Sequence, residues 1–126
     1  MTNNFYDNFD AAMSRLVDFC ENFNGSDVER AGVIQAFEFT FEQSWKALQK
    51  RAGAEGVTIA SPKKAFEWAM SNGWIDSGDE ADWLQMIQDR NLTTHTYRNL
   101  MAEEISQRIF DRYKGLYQEL LKRMKS

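Results

Sequence analysis

GVIQAFEFTFEQSWKAL, residues 32–48, sets Ile34, Phe37, Phe41, Trp45 and Leu48 at steps of three and four. That is the period of one face of an α-helix, and five large apolar side chains on one stripe demand a packing partner. The helix they predict starts near Asp27 and runs to about Ala52, where the glycines of GAEG, residues 53–56, supply a stop.

The same period recurs on both sides. From about Asn4 to Asn24, Phe9, Met13, Leu16, Cys20 and Phe23 follow it until NGS at 24–26 breaks the run. A third helix opens at Ser61–Pro62, a cap residue followed by proline at the first helical position, passes Ala65, Phe66 and Ala69, and closes at Asn72–Gly73. A fourth begins around Ser77 to Asp79 and carries Trp83, Leu84, Met86 and Ile87 towards Arg90. Asn99 is placed to cap a fifth, through Ile105, Ile109, Tyr113, Leu116 and Leu120 to the basic KRMK end, whose cations suit the negative end of a helix dipole. The weakly apolar GVTIA, residues 56–60, suits a short extended connector. Short connections between long amphipathic helices predict an all-α, antiparallel up-and-down bundle of about five helices.

Composition agrees. The 126 residues fit one domain, 1–126, large enough to bury an ordinary core. One proline in that length suits long helices better than a loop-rich β fold. No run approaches transmembrane length and no basic leader precedes an apolar block, so a soluble cytoplasmic protein without membrane association is expected. A formal net charge of −4 argues against a generally basic nucleic-acid surface, so any contact with RNA must be local. Cys20, the one cysteine, sits in an apolar segment and suits a buried, inert thiol.

The one histidine lies in QDRNLTTHTYRN, residues 88–99, five residues after Arg90 and two before Tyr97. Such a histidine near a helix end is more often structural than catalytic. A spacing of five leaves two side chains about 140° apart on a regular helix. Arg90 and His95 therefore converge only if the helix frays near the β-branched Thr93–Thr94, or if a second subunit contributes one of them. Were they to meet, the pair would suit cleavage of an RNA phosphodiester by its own 2′-hydroxyl. An imidazole moves protons near neutral pH, and a guanidinium fork grips phosphate oxygens as charge builds on the phosphorane.

Other charges are read mostly as solvated faces. Glu38 and Glu42, one turn apart beside the apolar stripe, need a cation because an unpaired charge at a core margin is costly. Two readings fit them: a structural salt bridge, or support that orients Arg90 or His95. One histidine and one cysteine do not make a zinc site of the usual kind, and DSGDEAD, Asp76 to Asp82, lacks the spacing of a calcium loop and suits a helix N-terminus. No glycine-rich phosphate loop or nucleophile elbow appears, so neither a metal nor a cofactor is expected.

Three stretches together, GVIQAFEFTFEQSWKAL (32–48), SPKKAFEWAMSNGWI (61–75) and WLQMIQDRNLTTHTY (83–97), resemble the nucleotidyltransferase substrate-binding family, a HepT-like branch of the HEPN superfamily. The likeness runs from about Phe9 to Leu120. It implies a homodimeric bundle in which the arginine–histidine motifs of both subunits face one cleft. It further implies a metal-independent ribonuclease toxin with RNA as transient substrate. An MNT-type nucleotidyltransferase would be its partner and antitoxin, silencing it by transferring AMP to the motif tyrosine. Carried over by position, Arg90 and His95 would be catalytic, Tyr97 the modified residue and Asn91 a supporting polar group. The family name implies the alternative, a non-catalytic subunit that presents substrate to a two-component nucleotidyltransferase.

Overall fold

A computed structural model describes residues 5–95 and 99–126, with side chains at 5–93 and 101–126. Helices α1 (Asp7–Glu21), α2 (Asp27–Ala54), α3 (Pro62–Ser71), α4 (Glu80–His95), α5 (Asn99–Arg108) and α6 (Lys114–Lys125) follow in order. A single 3₁₀ turn, Ser77–Asp79, leads into α4, and a π-helical turn, Ile109–Tyr113, joins α5 to α6. No strand forms among the described residues, and Val57–Ala60 is an irregular connector.

The punctuation works as the residues dictate. Ser26 caps α2, its hydroxyl accepting from the Glu29 amide at 3.1 Å. Ser61 does the same for α3 through Lys64, with Pro62 at the first helical position. That helix ends on Gly73 at φ +76°, which lets the Gly73 and Trp74 amides turn back onto the carbonyls of Met70 and Ala69.

Helix α2 is the axis of an antiparallel bundle, packed against α1, α3, α4 and α5. Its buried arc is therefore wider than the expected stripe. Val33, Ala36, Thr40, Ser44 and Ala47 are buried beside Ile34, Phe37, Phe41 and Leu48, while Trp45 is only half-buried. The small residues let neighbours approach: the Thr40 hydroxyl lies 2.6 Å from the Ala36 carbonyl oxygen and 3.1 Å from that of Ala12 on α1. One continuous core results, its aromatic centre being Phe37 stacked on Tyr113 at 5.5 Å and Phe66 against Trp83 at 4.5 Å. Each such fully buried large side chain contributes roughly 1.5–3 kcal/mol of transfer free energy.

The fifth predicted helix runs without a break from Asn99 to Lys125 as α5, the π-helical turn and α6 in succession. Past Tyr113 its fully buried residues are Tyr117, Leu120 and Met124, and the expected Leu116 is only partly buried against the core. Ile105, Ile109, Tyr113 and Tyr117 are spaced by four throughout. In a plain α-helix that drifts about 40° per step, or about 120° over three. The wider π-helical turn absorbs the drift and keeps all four on the core side.

Arg51 closes one end of the bundle. It donates to the Met124 carbonyl at 2.7 Å, reaches the Tyr6 hydroxyl and lies 4.4 Å from the Trp74 ring centroid. The acidic run that leads into α4 partly pairs with arginines of the C-terminal third, Asp76 with Arg123 and Asp82 with Arg112. The Arg123 bonds hold the Asp76 carboxyl below its usual value. Cys20 is half-buried and burial raises its thiol pKa, which suits the inert role expected of it. Among the described residues no helix is long and apolar enough to cross a membrane.

Candidate functional site

The functional face of α4 grows out of its core face. Trp83 and Met86 are buried, and the next step of three reaches Asp89, which has no exposed surface. One residue on, about 100° around the axis, Arg90 leaves the core and crosses to α2. Its Nη2 donates to Glu42 Oε2 at 3.1 Å, with 32% and 29% of the two side chains exposed. The guanidinium also lies 5.5 Å from the Phe41 ring centroid. A second cation and an indole share the same carboxylate: Lys46 Nζ is 3.5 Å from Oε1, and Trp45 Nε1 donates to Oε2 at 3.3 Å.

One turn away, the Thr93 hydroxyl lies 3.0 Å from Glu38 Oε2 and 2.9 Å from the Arg90 carbonyl oxygen, sharing one proton between them. Glu38 and Glu42 thus both face the Arg90–Thr93 edge of α4. Around them Gln35, Phe39 and Arg90 complete an open depression of about 330 Å³. Phe39 stands 54% exposed at its rim, and Leu92 is 42% exposed on α4.

Behind this edge lies a polar cluster centred on the buried Asp89 and Tyr113, with Gln85 and Arg108 half-buried around them. Arg108 grips Asp89 with two bonds, Nε to Oδ2 at 2.7 Å and Nη2 to Oδ1 at 2.8 Å. Tyr113 donates its hydroxyl to Oδ2, and Gln85 donates to Oδ1 at 3.2 Å. The Asp89 bond raises the Arg108 pKa, and burial together with that carboxylate pushes the Tyr113 phenol well above its ordinary value. All four bonds terminate on one carboxylate, and together they offset the several kcal/mol that desolvating a buried charge costs.

The predicted residues are distributed as follows. Arg90, Glu38 and Glu42 come together; Asn91, the next residue of α4, is exposed and does not line the depression. Of His95 the structure describes only the backbone, the last residue of α4; its side chain, and all of Tyr97, lie outside the described residues. The helix does not fray at Thr93–Thr94, as one route to convergence required, but stays α-helical to His95. The Thr93 hydroxyl is satisfied within the helix and by Glu38, so it does not compete for the helix's backbone amides. Asp89, Thr93, Arg108 and Tyr113 escaped sequence reasoning. A signal existed: a carboxylate one step of three beyond Trp83 and Met86 stands on the buried stripe, where it must have a partner. Among the described residues no group of three His, Cys, Asp or Glu could hold a metal ion.

Residues 4–126, nearly the whole chain, match the family described as nucleotidyltransferase substrate binding protein like. The chain belongs to that family. A Thermus thermophilus protein of known crystal structure (ttk003001694) is 36% identical, superimposes with a TM-score of 0.84, and is matched over 94% of this chain and 99% of its own. Two more distant structures, each 14% identical, share the fold. One is a mutant of the toxin–antitoxin pair MntA–HpeT, with TM-score 0.79 over 98% of both chains. The other is a tri-AMPylated Shewanella oneidensis HEPN toxin in complex with MNT antitoxin, with TM-score 0.77 over 99% of this chain and 98% of that one. No curated protein matches the chain. The fold of this family member is thus that of HEPN toxins, and its arginine edge lies on the α2–α4 side of that bundle.

Proposed function

We propose that this chain is the RNA-cleaving toxin of a HEPN/MNT pair, acting as a homodimer without a metal. Arg90 and His95 carry the cleavage, Asn91 assists, and an MNT-type nucleotidyltransferase silences the site by transferring AMP to Tyr97. The observation that carries the proposal is Arg90 itself. Its guanidinium is one-third exposed at an open depression, backed by Phe41 and braced by Glu42 at 3.1 Å. An arginine held so is oriented before its ligand arrives, which is what transition-state stabilisation requires. The unbroken helix to His95 supports the two-chain arrangement, because one straight helix keeps residues five apart on different sides.

In the proposed reaction the His95 imidazole removes the proton from a ribose 2′-hydroxyl. The oxygen attacks the adjacent phosphorus, and Arg90 pairs with the phosphorane oxygens. The bond to the 5′-oxygen breaks and that oxygen takes up a proton, leaving a 2′,3′-cyclic phosphate and a 5′-hydroxyl. AMP on the Tyr97 phenol would add a negative phosphate beside Arg90 and occupy the charge that RNA needs.

Purified protein is expected to cut RNA in excess chelator, and Arg90→Ala or His95→Ala to abolish cutting without dissolving the dimer. Full cleavage by both variants would assign the activity to a contaminant and remove the proposal. The family description favours one competing reading, a non-catalytic subunit that presents substrate to the transferase. That reading expects altered transferase activity in the complex, with no RNA damage and no growth arrest when this chain is expressed alone.

A further inference from the structure

Two residues that bond to Asp89, Arg108 and Tyr113, are five apart, and on a regular α-helix they would point about 140° away from each other. They meet on one carboxylate because the π-helical turn Ile109–Tyr113 separates them. A wider turn brings residues five apart into line, as four apart are on an α-helix. The turn therefore does more than keep the core stripe in phase. It delivers a guanidinium fork and a phenol to the same buried acid.

The consequence falls on α4. Gln85 and Asp89, one turn apart, face the α5–α6 side, while Arg90 and Thr93 face α2. A buried hydrophobic side chain at position 89 would tolerate a small rotation of α4, since packing is only weakly directional. A two-bond guanidinium–carboxylate fork is planar and tolerates little. Any rotation of α4 that swings Arg90 out of the depression must also strip partners from a carboxylate with no exposed surface.

We infer that Asp89, clamped by Arg108 and Tyr113 across the π-helical turn, is a positioning residue that fixes the rotation of α4 and holds Arg90 at the groove. This rests on the proposed function for what Arg90 does to RNA, but not for where Arg90 is held. Asp89 touches no substrate; it acts through its neighbour.

The test uses the full-length protein and three substitutions: Asp89→Asn, Arg108→Lys, which keeps the charge but loses the fork, and Tyr113→Phe, which removes one hydroxyl. The first readout is the Arg90 side-chain Nε–H signal in nitrogen–proton NMR, assigned by its loss in Arg90→Lys. The second is cleavage of an RNA oligonucleotide, with kcat and KM separated. We expect the Arg90 signal to shift or broaden in each folded variant, and kcat to fall about tenfold in Tyr113→Phe with KM unchanged. If Asp89→Asn does not fold, the other two decide. An Arg90 signal and a kcat both unmoved in the folded variants would overturn the inference. So would a loss of activity that only tracks the unfolded fraction and returns on cooling. If the signal moves as expected but the wild type cuts no RNA, the ribonuclease proposal falls and the positioning role of Asp89 stands.

Discussion

Glu42→Gln separates two things the Glu42 carboxylate does to Arg90: it orients the guanidinium and it neutralises it. A glutamine keeps one carbonyl oxygen that can accept from both Arg90 Nη2 and Trp45 Nε1, as Oε2 does, but it removes the charge and the oxygen that faces Lys46. The stability cost is expected below about 1 kcal/mol, because both partners are about a third exposed and such pairs contribute little. For an incoming phosphodiester the effect has the opposite sign. A phosphate seated on Arg90 would stand roughly 5 Å from the Glu42 carboxylate, a repulsion between ~0.8 and ~3.3 kcal/mol across the range from water to protein surface. Taking the solvent end for so open a site gives roughly 1 kcal/mol, about fivefold tighter RNA binding. The assay is fluorescence anisotropy of a labelled RNA in the His95→Ala background, where cleavage is blocked. It is repeated at several salt concentrations, since rising salt should shrink the gain. An Arg90→Ala background must abolish most of it. Equal tightening with and without Arg90 would refute the reasoning, since the carboxylate would then act on the general field and not through its partner. Weaker binding by Glu42→Gln would refute it outright.

Alkaline stability is expected to depend on the buried phenols. Burial raises Tyr113 and Tyr117 above the ordinary value of 10.0, so below pH 10 both folded and unfolded chains keep their protons. Above it the unfolded chain loses them first, and stability falls as pH climbs towards the folded values. Tyr117→Phe should flatten the fall in urea midpoint above pH 10; an unchanged slope would count against the burial argument. At the α1–α2 crossing, a Cβ on Gly32 would lie 2.8 Å from Phe19 Cε1. Gly32→Ala is therefore expected to cost about 1 kcal/mol net in denaturant midpoint despite its better helix propensity, and Phe19→Leu should relieve it. A Gly32→Ala protein more stable than wild type would mean the ring moves aside freely.

Helix identity was legible because it depends on local signals. Ser26, Ser61–Pro62 and Gly73 start and stop helices through bonds within a few residues, and the α2 stripe carries its own period. The breadth of the α2 arc was not legible, because Thr40 and Ser44 look polar until their hydroxyls bond to carbonyls in the helix and across it. The π-helical turn has only a faint signature, the four-step run from Ile105 to Tyr117, which a plain α pattern redirects to Leu116. Of the site, the pairing of Glu42 with Arg90 was foreseeable as one of two readings, since a carboxylate at a core margin needs a cation. The burial of Asp89 was signalled by the stripe, but its partners Arg108 and Tyr113 were not, because they lie 19 and 24 residues along the chain and meet only through the turn.

Two spacings of five in this chain face the same geometric difficulty and resolve it differently. Arg108 and Tyr113 converge because the helix between them widens, and the carboxylate they share offsets the irregularity. Between Arg90 and His95 the helix does not widen; it stays regular, with the Thr93 hydroxyl bonded back to the Arg90 carbonyl. The first arrangement makes a rigid interior, and the second keeps Arg90 on a regular helix at an open groove. A site completed by a second copy needs its arginine held stiffly before the partner arrives, since each copy supplies half the reacting groups. Mixing Arg90→Ala and His95→Ala proteins tests this directly. If the groups act across the interface, one of the two composite sites in each mixed dimer regains both residues, so up to about half of wild-type cleavage should return per mixed dimer and about a quarter in a randomly exchanged equimolar pool. No recovery on confirmed exchange of subunits would confine the pair to one chain and leave the regular helix unexplained.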